Sequence, residues 1–172
     1  PFDLTLVATV DEECSLGGAA FFAAGAEPFD LAIALEPTSL GIIRAHKGVL
    51  RISVETRGVS VHSSTPERGS NAISAMLPVL ADLDTLFGND PDTSNSDDSA
   101  SGRTTLAVTT IRGGSSENIV PDRCVATLDI RLDPGCNSEV ITKRIFTCVD
   151  DRAQVKSLFT AGPVDTPCSL PL

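Results

Sequence analysis

Residues 4–10, LTLVATV, make an unbroken apolar run rich in β-branched side chains. That pattern predicts a strand buried on both faces of a parallel sheet. The small residues of 16–25, LGGAAFFAAG, suit a short helix packed closely on such a sheet, and Gly25 suits its end. A second buried strand, FDLAIALEP, ends at Glu36, where Pro37 blocks its continuation. Strand, helix and strand make one βαβ unit.

From residue 49 the pattern changes. VLRISVETR alternates apolar and polar positions, as a strand with one covered face does. A turn-rich stretch over 58–70 leads to a helix from Asn71 to about Phe87, with Ser70 as its expected N-cap. Pro78 inside that helix is expected to kink it. Strands at 104–112 and 123–132, a helix at 138–150 and a strand at 153–159 follow. Residues 49–159 therefore read β, α, β, β, α, β, the order of a complete split-βαβ, ferredoxin-like sandwich with an antiparallel sheet. Between them, 88–103 is acidic, Ser- and Gly-rich and without period, which predicts a solvated loop. The Pro- and Gly-rich end, AGPVDTPCSLPL, reads as a connection.

Composition narrows the function classes. The net charge of −10 argues against nucleic acid and anionic membranes, since both demand basic patches. No apolar run reaches the ~18 residues of a membrane helix. Five scattered cysteines without a Cys-x-x-Cys pattern suit reduced thiols and a cytoplasmic protein. The opening Pro1-Phe2-Asp3 suggests the interior of a longer chain.

The candidate chemistry begins at Asp11, Glu12 and Glu13, adjacent acids at a predicted strand end. Such acids repel unless a cation or a proton sits among them, though an acidic run also suits a helix N-terminus. Glu36 occupies a second strand end, where sites form in open α/β sheets. Arg131 can either hold a carboxylate or pair with Asp129 or Asp133.

Six stretches in order, DEE, LEPTS, RAHKG, GVSVHSSTPERGSNAI, RGGSSENIVPDRC and LDIRLDPG, resemble the dinuclear zinc aminoacylase and carboxypeptidase family. The likeness is greatest to its acetylornithine deacetylase branch, and the succinyl-diaminopimelate desuccinylases are more distant. The resemblance implies an α/β metal domain interrupted by a lid that also forms a homodimer. The corresponding boundaries are residues 1–44 for the middle of the metal domain, 45–158 for the lid, and 159–172 for the start of the return.

By the same resemblance, Glu12 is the general base, while Glu13 and Glu36 bind metal. His62 reaches the partner subunit's site and steadies the oxyanion. Asn118 and Arg131 hold substrate, an N-acyl amino acid or a peptide. The implied cofactor is a pair of Zn²⁺ ions, with Co²⁺ as a substitute. Gly69, Gly113 and Gly114 are expected to serve backbone geometry.

The family's imidazole ligands have no counterpart, because His46 and His62 fall in the hinge and the lid. The acids are then a partial ligand set, and the chain alone is expected to be inactive. A dipeptidase or carboxypeptidase of the same family, or a dimerisation module without catalysis, remains an alternative.

Overall fold

The computed structural model describes residues 3–13, 15–88 and 103–167. The chain divides into two compact units, Pro1–Ile42 and Ile43–Leu172.

In the first unit, helix α1 (Gly17–Gly25) forms as its small residues suggest. Phe22 and Phe29 stack with ring centroids 6.1 Å apart. The two expected strands do not form, since none of the described residues of this unit belongs to a ladder. Leu4, Leu6 and Leu35 stand 85–87% exposed. A strand is held by the hydrogen bonds of its neighbours, so an apolar run with no partner strand beside it gains neither a ladder nor a covered face.

The second unit is built on a four-stranded antiparallel sheet. Its strands are β2 (Gly48–Arg57), β3 (Thr105–Gly113), β4 (Arg123–Leu132) and β5 (Gln154–Ala161), in the spatial order β3-β4-β2-β5. Helices α2 (Ala72–Gly88) and α3 (Ser138–Val149) make the two crossovers, which gives the ferredoxin-like topology.

Alternation decides which face is covered. Leu50, Ile52 and Val54 of β2, and Ala126, Leu128 and Ile130 of β4, are almost wholly buried. On α2, Ala72, Met76, Val79, Leu83 and Phe87 recur at helical spacing and are buried against them. On α3, Ile141, Ile145 and Val149 do the same.

One local expectation needs correction. Asn71, not Ser70, caps α2, its Oδ1 accepting from the backbone N–H groups of Ile73 (2.9 Å) and Ser74 (3.1 Å). Ser70 is instead held in a two-way backbone pairing with Val59. Helix α2 runs on through Pro78, and the proline and Ser74, whose carbonyl loses its usual donor, are both exposed to water.

The end of the lid is also more structured than a connection. Strand β5 continues to Ala161, and β6 (Val164–Asp165) pairs with β1 (Ala45–His46). Arg44 and Thr166 extend this ribbon, with the Thr166 N–H donating to the Arg44 carbonyl at 3.0 Å. The entering and leaving segments of the lid are thus tied together. The predicted acidic loop lies outside the described residues, except for Gly88 and Arg103. No helix among the described residues is long and apolar enough to cross a membrane.

Candidate active site

The structure brings together two of the six candidate residues, His62 and Asn118. They lie on loops that leave β2 and enter β4, and these loops pair like a short irregular ladder. Gly58 N–H donates to the Asp122 carbonyl, Val120 N–H to the Val61 carbonyl (2.8 Å each), and Ser63 N–H to the Asn118 carbonyl (2.9 Å). His62 and Ile119 form an antiparallel bridge within this pairing.

Close packing fixes the loops further. A Cβ on Gly69 would stand 2.5 Å from the Val59 carbonyl oxygen, and Gly114 has φ +78°. Both positions therefore require glycine for backbone reasons.

Each of the two side chains has a local partner. The Ser116 hydroxyl donates to Asn118 Oδ1 at 2.7 Å. His62 Nδ1 faces Ser64, whose Oγ is 2.8 Å away and whose N–H is 3.2 Å away. Ser64 was not among the residues singled out from the sequence. Its signal there was its position two residues after a histidine, inside a turn. Beside the loops lies an open groove of about 680 Å³, lined among others by Ser63, Ile73, Glu117 and Pro121.

Arg131 lies elsewhere, near the far end of β4. Eight strand steps separate it from Arg123, about 26 Å at ~3.3 Å per residue. Its Nε donates to Asp129 Oδ1 at 2.7 Å, and Arg51 takes the other carboxylate oxygen at 3.0 Å. Asp129 is thus shared between two guanidinium groups on the open face of the sheet. A matching cluster surrounds Glu55, which pairs with Arg123 at 2.7 Å and with Arg57 at 2.5 Å. The hydrogen bond from Arg123 is the main cause holding the Glu55 carboxyl below its ordinary value of 4.5.

Glu12, Glu13 and Glu36 belong to the first unit and are exposed. Glu12 and Glu13 occupy a turn in which Leu16 N–H donates to the Asp11 carbonyl at 2.9 Å, with Asp11 at φ 63°. Glu36 precedes a second turn, in which its carbonyl accepts from Thr38 N–H at 2.8 Å. Among the described residues, no three His, Cys, Asp or Glu side chains converge as a metal site would require. The described residues alone therefore do not fit a metal centre. Of the five cysteines, Cys124, Cys136 and Cys148 are described, and all three are free.

Known proteins put this geometry in a family. Residues 44–156 match the model of the peptidase dimerisation domain. The chain is 41% identical over 105 residues to a probable carboxypeptidase of Paracoccidioides brasiliensis, covering 60% of this chain and 24% of that protein. It is also 41% identical over 133 residues to the acetylornithine deacetylase of Proteus mirabilis, covering 77% of this chain and 34% of the relative. The chain thus spans about a quarter to a third of these relatives.

Among solved structures, an amidase of the hydantoinase/carbamoylase family from Burkholderia phymatum shares the fold. The TM-score is 0.60 at 20% identity, covering 74% of this chain and 32% of that one. With its split-βαβ lid and a matching segment of more than half its length, the chain belongs to the M20 peptidase family through its dimerisation domain.

Proposed function

We propose that the chain is the middle of a metal-dependent amidohydrolase that deacylates an N-acyl amino acid, in the manner of an acetylornithine deacetylase. Residues 1–44 are then part of the catalytic domain, 45–158 the lid, and 159–172 the start of the return. Glu12 acts as general base, taking a proton from the attacking water and passing it to the leaving amine. Glu13 and Glu36 contribute carboxylates to a zinc site, or a cobalt one, whose other ligands lie outside the described residues. His62 donates to the oxyanion and Asn118 supports the substrate. Arg131 binds the substrate carboxylate. The free thiols suit a cytoplasmic location.

The observation that carries this reading is the separation within the lid. His62 and Asn118 sit on loops beyond the Arg123 end of β4, and Arg131 lies near its other end, eight strand steps or about 26 Å along the strand from Arg123. An acylated amino acid spans much less than that. One such substrate can meet all three residues only if two lids contribute, one giving His62 and Asn118 and the other Arg131. A homodimer through the lid supplies this arrangement. Its contact is assigned to α2 and the edge strand β3, where Leu77, Val108 and Ile111 are exposed.

The identity to a probable carboxypeptidase favours a second reading, in which the bond cleaved joins two amino acids. Assays of the full-length protein, loaded with Zn²⁺ or Co²⁺, separate the possibilities. Turnover of N-acetylornithine supports the first reading, and turnover of dipeptides alone supports the second. Turnover of neither, in protein that still dimerises, supports a module without catalysis.

A further inference from the structure

The chain has two histidines, and the same ring atom of each meets opposite partners. At His62 the backbone N–H of Ser64 points at Nδ1 from 3.2 Å. A backbone N–H can only donate, so this nitrogen presents its lone pair, and the proton of the neutral ring lies on Nε2. The Ser64 hydroxyl, 2.8 Å from that lone pair, then donates to it as well. At His46 the arrangement is reversed. Its Nδ1 lies 3.1 Å from the carbonyl oxygen of Lys47, which can only accept, so there Nδ1 carries the proton.

Ser64 cannot easily turn its N–H away from His62. The turn is closed by Thr65 N–H donating to the His62 carbonyl at 3.0 Å. It is anchored by Ser63 N–H on the Asn118 carbonyl. Among the described residues His62 Nε2 has no hydrogen-bond partner, and the ring is exposed. The only polar atom His62 offers outward is therefore an N–H.

We propose that Ser64 is a positioning residue that fixes His62 as an Nε2–H donor and prevents it from serving as a base. This rests on the reading of His62 as the group that meets the substrate carbonyl, and it narrows that role. A ring with Nδ1 occupied by two donors gives a hydrogen bond to a developing oxyanion, as an oxyanion hole does. It does not take up a proton at the substrate side, because the outward nitrogen already holds one. Proton transfer is left to the carboxylate chemistry.

The test is a two-bond ¹H–¹⁵N correlation spectrum of the uniformly ¹⁵N-labelled 172-residue chain. It is recorded at about pH 9, above the ordinary imidazole range. The two histidines are expected to give opposite patterns, His62 protonated at Nε2 and His46 at Nδ1, with His46→Gln assigning the signals. A free histidine exchanges between the two forms, so the expected His62 shifts are limiting and not averaged. Ser64→Ala keeps the backbone N–H and should leave His62 protonated at Nε2, whereas Ser64→Pro, which removes that donor, should move both His62 nitrogens toward averaged positions while the remaining amide signals report a folded chain. Protonation of His62 at Nδ1, averaged shifts in the unsubstituted chain, or unmoved His62 shifts in folded Ser64→Pro would each overturn the proposal. Failure of the catalytic reading appears separately, as full turnover of the His62→Ala full-length protein.

Discussion

The backbone N–H of Ser63 donates to the carbonyl of Asn118 at 2.9 Å, joining residues far apart in sequence and holding His62 beside Asn118. The pairing depends on glycines that let two loops lie in contact. A Cβ on Gly69 would stand 2.5 Å from the Val59 carbonyl oxygen and 2.6 Å from Val61 Cγ2. Gly69→Ala should therefore destabilise the lid by about 1–3 kcal/mol, read as a lower midpoint in urea, because backbone must shift to admit the methyl group. An unchanged midpoint would show that the loops yield freely.

The core and the exposed edge should respond differently. Leu128 is fully buried between the sheet and its helices, so Leu128→Ala should cost about 2–5 kcal/mol in chemical denaturation. Ile111, half exposed on the edge strand β3, should tolerate Ile111→Glu within about 0.5 kcal/mol as a folded monomer. That substitution should nevertheless move the sedimentation coefficient of the full-length protein from dimer to monomer. A dimer that survives it would direct the contact elsewhere.

Glu55 provides a pH dependence of known sign. Its folded pKa lies below the ordinary 4.5, first because of the Arg123 hydrogen bond and then through the charges of Arg123 and Arg57. A depressed carboxyl stabilises the fold above its unfolded pKa and loses that contribution as pH falls through the folded value. Thermal melts of the unsubstituted chain and of Glu55→Gln should therefore differ at neutral pH and converge on acidification below 4.5. A gap that widens in acid would contradict the assignment.

Arg131 is held by Asp129 through its Nε at 2.7 Å. If its role is to bind a substrate carboxylate, Arg131→Ala in the full-length enzyme should raise KM about 10- to 100-fold and change kcat little. Asp129→Asn should move KM in the same direction by less, since it loosens the guanidinium without removing it. A loss confined to kcat would place Arg131 in the chemistry instead.

Much of the lid was legible because its alternation and helical spacing report a face that is covered within the chain. Strand β4 was bounded correctly at 123–132, and α3 was missed by one residue at its end. The first unit was misread for the complementary reason. Leu4, Leu6 and Leu35 have the composition of buried strands, but a ladder needs neighbours that periodicity cannot report. The β1–β6 ribbon escaped notice because two residues carry no period. In the site, the motif containing His62 was visible, whereas its contact with Asn118 depends on loop pairing across 56 positions of sequence. Ser64 acts on His62 through a backbone N–H, which every residue except proline has, so its type gave no warning.

On the function proposed above, one active site draws Glu12 from one subunit and His62 from the other. Full-length Glu12→Gln and His62→Ala proteins, each nearly inactive, should be mixed under conditions that exchange subunits. Each mixed dimer then holds one site with both residues intact and one with neither. Random exchange should restore about a quarter of the unsubstituted activity. If His62 serves its own subunit, no site in the mixed dimer is complete, and activity that stays at the level of the separate variants after proven exchange would contradict the account.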